Sequence, residues 1–303
     1  MELRQLRYVI ATADSGNFTR ASERCGITQP SLSQQILELE KELGHKLFHR
    51  LGRRAVPTEA GAVFIERARK VLFEVETAAR ELSDSPSLER RITVGATPTM
   101  APYVLPPLIQ RCQDRYPNLS VDVIEDFRSN LTRGIIDGEL DLALVTQPAK
   151  DSRIFSERLG MEKLMIVVAK SHRLNSLKEV RVADLANETF VLLGSSSALS
   201  EQIRGFFGTH NFQPRVSCRC SQVSTVKALV GIGEGISLLP PVARAARDEA
   251  TLSYLSLIDA SPSREVCVIR HVQRYQSRGA QQFLALVKEH APEWIEVPPS
   301  SRS

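Results

Sequence analysis

Hydrophobic positions in the first ninety residues recur at helical spacing. Leu3, Leu6, Val9, Ile10 and Ala13 predict a first helix, which Ser15–Gly16–Asn17 breaks. Phe18, Ala21 and Cys25 predict a short second helix, and Gly26 supplies a tight corner after it. Leu32, Ile36, Leu39 and Leu43 follow at spacings of four, three and four. They predict a third helix with Thr28 as its N-cap and Pro30 in its first turn, where a missing N–H leaves no bond unmade. After Gly44, the segment HKLFHRLGRRAVPT predicts a short β-hairpin anchored by Leu47 and Phe48, turned at Gly52 and returned by Val56. Thr58 then caps a long helix through about Ser83. Along it Phe64, Ala68, Val71, Val75, Ala78 and Leu82 alternate spacings of four and three, a coiled-coil seam. At 1.5 Å per residue this helix is about 40 Å long. One apolar seam on so long a helix calls for a partner, and the same helix of a second chain is the expected one. Ser83–Ser87 reads as a polar hinge.

From Arg91 the pattern changes to short apolar runs alternating with helical stripes. Strands are expected at Ile92–Gly95, Leu119–Glu125, Asp141–Val145, Leu164–Ala169, Thr189–Leu193, Arg215–Cys220, Ile236–Leu239 and Glu265–Arg270. Helices are expected around Val104–Tyr116, Asn130–Ile136, Leu199–Phe207, Val223–Gly231 and Ala280–Glu289. That alternation predicts parallel α/β sheets with helices on their faces.

Composition narrows the picture. The chain has 303 residues, 42% of them apolar and 24% charged, enough for two or three globular domains. It lacks an apolar run of membrane-spanning length, and MELRQLRYVI is not a signal peptide, so a cytoplasmic protein is expected. Five cysteines without framework spacing fit a reducing compartment. A net charge of only +4 leaves the question of nucleic acid to the placement of charge.

That placement is specific. The polar face of the third helix carries Gln29, Ser31, Ser33, Gln34 and Gln35, all uncharged hydrogen-bonding groups. An ordinary solvated face carries Lys and Glu, whereas amides and hydroxyls suit base edges in a major groove. Lys46, Arg50, Arg53 and Arg54 follow within nine acid-free residues, as a basic wing gripping the phosphate backbone would require. Ser33 and Gln34 are the expected base contacts, with Gln29 and Ser31 nearby and Thr28 and Pro30 at the helix start. Arg50, Arg53 and Arg54 are expected on phosphate or in the minor groove.

The stretch MELRQLRYVIATADSGNFTRASERCGITQPSLSQQILELEKELGHKLFHR, with RRAVPTEAG after it, resembles the winged helix-turn-helix of the LysR-type transcriptional regulators. The match is dense over about sixty residues, and GELDLALV and ALVGIGEGISLLP extend it along the chain. Many members have Arg where this chain has Gln34, which changes the direct contacts available. The resemblance implies a DNA-binding domain over residues 1–58, a dimerising linker helix and hinge over 59–90, and an effector domain over 91–303. That domain would resemble periplasmic binding proteins, with one subdomain at 91–164 and 267–295 and a second at 165–266. Their cleft would take a small-molecule effector. Promoter DNA and further copies of the chain are the implied partners, as a dimer through the linker helix and a tetramer beyond it. RNA polymerase joins them if the output is activation.

Three hydroxyl-rich clusters then acquire meaning. Thr97, Pro98 and Thr99 follow one strand and precede a helix; Ser195, Ser196 and Ser197 do the same in the second subdomain; Ser221, Gln222 and Ser224 open a third helix. Singly, such residues are caps. Converging on one cleft with Thr146, as the implied fold requires, they fit a small anionic or polar effector.

The effector half resembles most the OxyR-like branch, whose redox cysteines would fall at Ala198 and Phe207 here, so that switch is expected to be absent. Cys218 and Cys220 are a different pair, two apart on a strand, where a disulfide would be strained. A redox regulator using them is the alternative within the family. A CxC without a histidine cluster does not make a metal site, and neither metal nor cofactor is expected. An enzyme is not expected either: P-loop, GxSxG and HExxH are missing, and GIGEG at 231–235 precedes a strand. A solute-binding protein would leave the first ninety residues idle. A DNA-bending architectural protein would leave the cleft without a use.

Overall fold

The computed structural model describes residues 1–51, 54–82 and 90–296. The chain divides into two compact units, Met1–Ser83 and Asp84–Ser303.

In the first unit, α1 (Leu3–Ser15) ends at Gly16, whose φ of 59° suits glycine. Asn17 caps α2 (Phe18–Arg24), its side chain accepting from the N–H groups of Thr19 and Arg20. Thr28 caps α3 (Gln29–Leu43), which Gly44 closes at φ 70°. A two-stranded antiparallel hairpin follows, β1 (Phe48–Leu51) and β2 (Arg54–Pro57), with Leu51 opposite Arg54. The expected turn at Gly52 and the hinge at Ser83–Ser87 lie outside the described residues.

One core joins these pieces: Val9, Phe18, Leu32, Ile36, Leu39, Leu47 and Phe48 pack together. Phe18 meets Phe48 edge-on at 5.9 Å between ring centres. The buried Glu40 on α3 accepts from the backbone N–H of Leu47 (2.7 Å) and Phe48 (3.2 Å), pinning the hairpin to the helix. Helix α4 (Glu59–Leu82) starts at Thr58, whose hydroxyl donates to the Lys46 carbonyl at 2.6 Å and accepts from Gly61 N–H at 2.9 Å. Gly61 passes so close to β1 that an added Cβ would lie 1.9 Å from the Leu47 carbonyl oxygen.

The apolar seam of α4 divides into two parts. Ala68 and Leu72 pack on Leu6 of α1 and Ile65 joins the main core, while Val71, Val75 and Leu82 stay 44%, 40% and 91% exposed.

The second unit has two halves. In one, β3 (Arg90–Ala96) lies between β4 (Leu119–Glu125) and β5 (Leu142–Thr146), parallel to both. Helices α5 (Ala101–Arg115) and α6 (Arg128–Asp137) connect these strands. The sheet is completed by β6 (Ile154–Lys163) and, between β5 and β6, by a later strand, residues 263–271. In the other half, β7 (Met165–Ala169) leads to β8 (Thr189–Leu193), α7 (Ala198–Thr209), β9 (Arg215–Cys220), α8 (Val223–Gly231), β10 (Ser237–Leu239) and β11 (Leu252–Leu255). Strands β8 and β9 are parallel; β10 and β11 flank β7 antiparallel, and a bridge from Phe190 to Ile236 links the two groups. The chain returns as β12 (Ser263–His271) and ends in α9 (Arg278–Ile295).

The sheets are therefore mixed, not purely parallel as the alternation predicted. The returning β12 runs antiparallel to both β5 and β6, and β6 was not foreseen because its charges break up the apolar run. The pair β6–β12 carries the chain out of one half and back, and Leu164 N–H bonds to the Pro262 carbonyl at the crossing.

Candidate functional site

The polar face of α3 is built by its buried stripe. Leu32, Ile36 and Leu39 are fully inside, which turns Gln29, Pro30, Ser31 and Gln34 outward and leaves Ser33 and Gln35 half-buried. The Thr28 and Ser31 hydroxyls are 2.8 Å apart at the exposed start of the helix. The structure thus collects all six predicted reading positions on the first turns of one helix. Arg54 is exposed on β2; Arg53 and the Arg50 side chain lie outside the described residues.

Between the two halves of the second unit lies a small cleft that opens to solvent. Of the predicted residues, Thr97, Pro98, Thr99, Thr146, Ser197 and Ser221 line it. They arrive from the ends of β3 and β5, the start of α7 and the end of β9, as strand ends and helix starts converge in α/β folds. Ser195 and Ser196 do not line it: Ser197 N–H bonds to the Gly194 carbonyl, closing a turn whose exposed tip they form. Gln222 is also exposed and outside the lining; its Oε1 accepts from the Ser224 hydroxyl at 3.3 Å.

Sequence reasoning missed four lining residues: Phe127, Arg128, Leu193 and Ala198. Arg128 matters most chemically. It opens α6 two residues before the expected start of that helix, and an arginine closely following a strand end was the signal available. Its guanidinium donates to Gln147 Oε1 at 3.0 Å and lies 3.9 Å from the Glu201 carboxylate on α7. Gln147 itself holds φ at 106°, a strained backbone for a residue with a side chain, next to Thr146.

The polar groups in the cleft are unevenly satisfied. The Thr97 and Thr146 hydroxyl oxygens are buried and make no hydrogen bond among the described residues. Thr99 is engaged from behind: its hydroxyl accepts from Arg264 Nη1 at 2.8 Å. Arg264, fully buried on β12, also donates through Nε to Glu162 Oε2 on β6 at 2.6 Å, directly across the strand pair. Burial pushes the Glu162 carboxyl up, while Arg264 opposes that rise. The starts of α6 and α7 both face the cleft through Phe127, Arg128, Ser197 and Ala198, adding positive helix ends to the arginine.

Burial raises the thiols of Cys25, Cys112, Cys220 and Cys267, away from the reactive thiolate. Cys218 and Cys220 are half-buried along β9, and burial, with Cys218 beside it, raises the Cys220 thiol. Cys112 is buried in α5, where burial raises its thiol. Cys25 caps the end of α2 instead of lying within it. Cys267, which the sequence reading passed over, is buried on β12, and its thiol is pushed up to about 12, first by burial and then by Glu265. Among the described residues no cluster of His, Cys, Asp and Glu could hold a metal, and no helix is long and apolar enough to cross a membrane.

Comparison with known proteins agrees with this architecture. Residues 3–62 match the bacterial regulatory helix-turn-helix protein, lysR family, and residues 85–292 match the LysR substrate binding domain. The DNA-binding transcriptional dual regulator OxyR of Escherichia coli K12 is 30% identical over 272 residues, 89% of each chain. The HTH-type transcriptional regulator BenM of Acinetobacter baylyi is 32% identical over 263 residues, 86% of each. A solved full-length OxyR variant of Pseudomonas aeruginosa shares the fold, with a TM-score of 0.68 at 24% identity over 95% of this chain and 98% of that one. A helix-turn-helix with its hairpin, an α/β unit with a cleft between its halves, and family matches over both lead to one conclusion: the chain belongs to the LysR family of DNA-binding transcriptional regulators with an effector-binding domain.

Proposed function

We propose that a small carboxylate or similarly anionic effector binds in the cleft and sets the activity of this regulator on its promoter. The observation that carries this reading is the pair of buried hydroxyls, Thr97 and Thr146, left without a bond among the described residues in a cleft that also presents Arg128. A buried hydroxyl that makes no hydrogen bond costs about 1–3 kcal/mol. A ligand that accepts from both recovers that energy and gains a charge-assisted bond from Arg128. The anion would also replace Glu201 beside Arg128. Since α6 and α7 belong to opposite halves, that exchange changes how the halves are held.

On the DNA side, Ser33 and Gln34 read bases, with Thr28, Gln29, Pro30 and Ser31 beside them, and Arg50, Arg53 and Arg54 grip the backbone. Two copies pair through the exposed Val71, Val75 and Leu82 of α4 and place two reading helices on half-sites about 34 Å apart or a multiple of that. A tetramer follows from a second contact between copies, and the protein works in the cytoplasm where its DNA lies.

The test is a thermal-melt screen of the full-length protein against small aliphatic and aromatic carboxylates, with the uncharged amides as controls. A carboxylate at a hundred times its dissociation constant adds about 2.7 kcal/mol, and R128M abolishes the rise. A carboxylate that shifts wild type and R128M equally would overturn the assignment. So would amides as effective as their acids.

A further inference from the structure

The amides of α3 are not independent. Glu2 N–H donates to Gln5 Oε1 at 2.9 Å; Gln5 Nε2 donates to Gln35 Oε1 at 3.4 Å; Gln35 Nε2 donates to Glu38 Oε2 at 3.1 Å. The other oxygen of that carboxylate accepts from Gln34 Nε2 at 3.0 Å. The chain runs from the first turn of α1, through the buried Gln5, to the exposed face of α3.

Its direction has only one solution. An amide can turn over and exchange oxygen for nitrogen, but a backbone N–H can only donate and an ionised carboxylate can only accept. Glu2 at one end therefore requires the oxygen of Gln5, which leaves its nitrogen for Gln35. Gln35 must answer with its oxygen and pass its own nitrogen to Glu38. Glu38 is acceptor-only, so Gln34 must also meet it with nitrogen. Every member of the chain agrees with its neighbours, and no flipped arrangement keeps all four bonds.

We infer that Glu38 and Gln5 are positioning residues for DNA recognition: they lock the Gln34 amide with one N–H spent on Glu38, so that its Oε1 and its remaining N–H meet the base. This rests on the reading that Gln34 contacts a base. A carbonyl oxygen held outward accepts from an exocyclic amino group, which in the major groove belongs to adenine or cytosine; guanine and thymine present acceptors there. The remaining N–H adds adenine N7 and makes adenine the better of the two. A free glutamine can turn either its oxygen or both its N–H groups toward any base, whereas the locked amide meets only adenine with both of its free groups, so the lock supplies discrimination more than affinity.

The test selects full-length protein against a pool of random duplexes of about 30 base pairs, long enough for two half-sites one turn apart. Sequencing the bound fraction gives the preference at each position for wild type, Q34A, E38Q and Q5L. Wild type should prefer an amino-bearing base at the position that Q34A erases, by about fivefold or more. E38Q and Q5L should lose the same preference at the same position and leave the others intact. E38Q removes a negative charge and so raises affinity for all duplexes alike; only the lock predicts a loss confined to one base pair. Q5L changes a side chain that no base can touch, and E38Q, at an exposed position, keeps the test valid should Q5L fold poorly. If Q34A erases a preference that both E38Q and Q5L retain, the lock is refuted while the base contact stands. If Q34A erases nothing, the contact fails and the lock with it. A preference for guanine or thymine at that position would overturn the orientation.

Discussion

The two polar surfaces of this regulator are built by opposite means. On α3 the hydrogen-bonding groups come from one short stretch, Thr28 to Glu38, sit at the water boundary and partly satisfy one another. In the cleft they come from separate strand ends and helix starts; three of them, Thr97, Thr99 and Thr146, are buried, and two of those hydroxyls make no bond among the described residues. The difference fits the two kinds of ligand proposed for them. DNA brings its own large electrostatic attraction, so its reading helix needs orientation more than energy. A small effector brings few contacts, and each must count for much, which a desolvated site provides. The exposed surface can be altered with little effect on stability, whereas the back of the cleft, at Thr99, is tied through Arg264 to Glu162, a buried pair on which the fold depends.

The largest expected effect lies behind the cleft. Glu162→Ala leaves Arg264 buried without its carboxylate, and breaking such a pair costs about 3–5 kcal/mol. Denaturant titration should show a lower midpoint for the second unit, and the effector response should fall because Thr99 is held by the same arginine. A change below about 1 kcal/mol would show that the pair is not what fixes the crossing of β6 and β12.

In the first unit the corresponding weak point is a backbone crossing, not a charge. Gly61→Ala drives a Cβ to 1.9 Å from the Leu47 carbonyl oxygen, and backbone cannot swing aside as a side chain can. The expected loss is about 3 kcal/mol, at the upper end for overpacking. Because β1 is also held by Glu40 on α3, the displacement should reach the hairpin, so DNA binding should weaken at temperatures where the effector response is intact. Loss of both together would erase the distinction between the two surfaces.

The contrast also explains what could be read from the chain. The α3 face was legible because a helix repeats within a few residues, so Leu32, Ile36 and Leu39 determine where Ser31 and Gln34 point. The cleft is non-local. Hydroxyls ahead of helices marked Thr97, Thr99 and Ser197, but the same signal marked Ser195 and Ser196, and only the Gly194–Ser197 turn separates those that line the cleft from those that do not. Arg128 was marked only by its place just past a strand end and acquires meaning from Gln147 and Glu201, distant in sequence. Strand β6 went unseen because its Glu162, a charge in the sequence, is neutralised in space by Arg264 on β12. The hydrogen-bond chain through Gln5 could not be read either, since it joins α1 to α3 across the fold.

The smallest stability change should come from the two hydroxyls proposed to meet the effector. Thr97→Val and Thr146→Val each exchange an unbonded hydroxyl for a methyl of nearly the same shape. In most proteins such a change at a buried threonine is destabilising because a bond is lost. Here no bond among the described residues is lost and one desolvated oxygen is removed, so melting should hold or rise slightly, by about 1 kcal/mol at most. Binding should move the other way: each valine denies the ligand a donor and should weaken a carboxylate about tenfold, the equivalent of about 1.4 kcal/mol. Thermal melts without ligand and titrations with the best carboxylate from the screen measure the two on the same samples. A valine variant that lost stability would mean that the hydroxyl bonds within the folded chain after all. One that kept both stability and affinity would place the effector elsewhere in the cleft, against Arg128 and the α7 start alone.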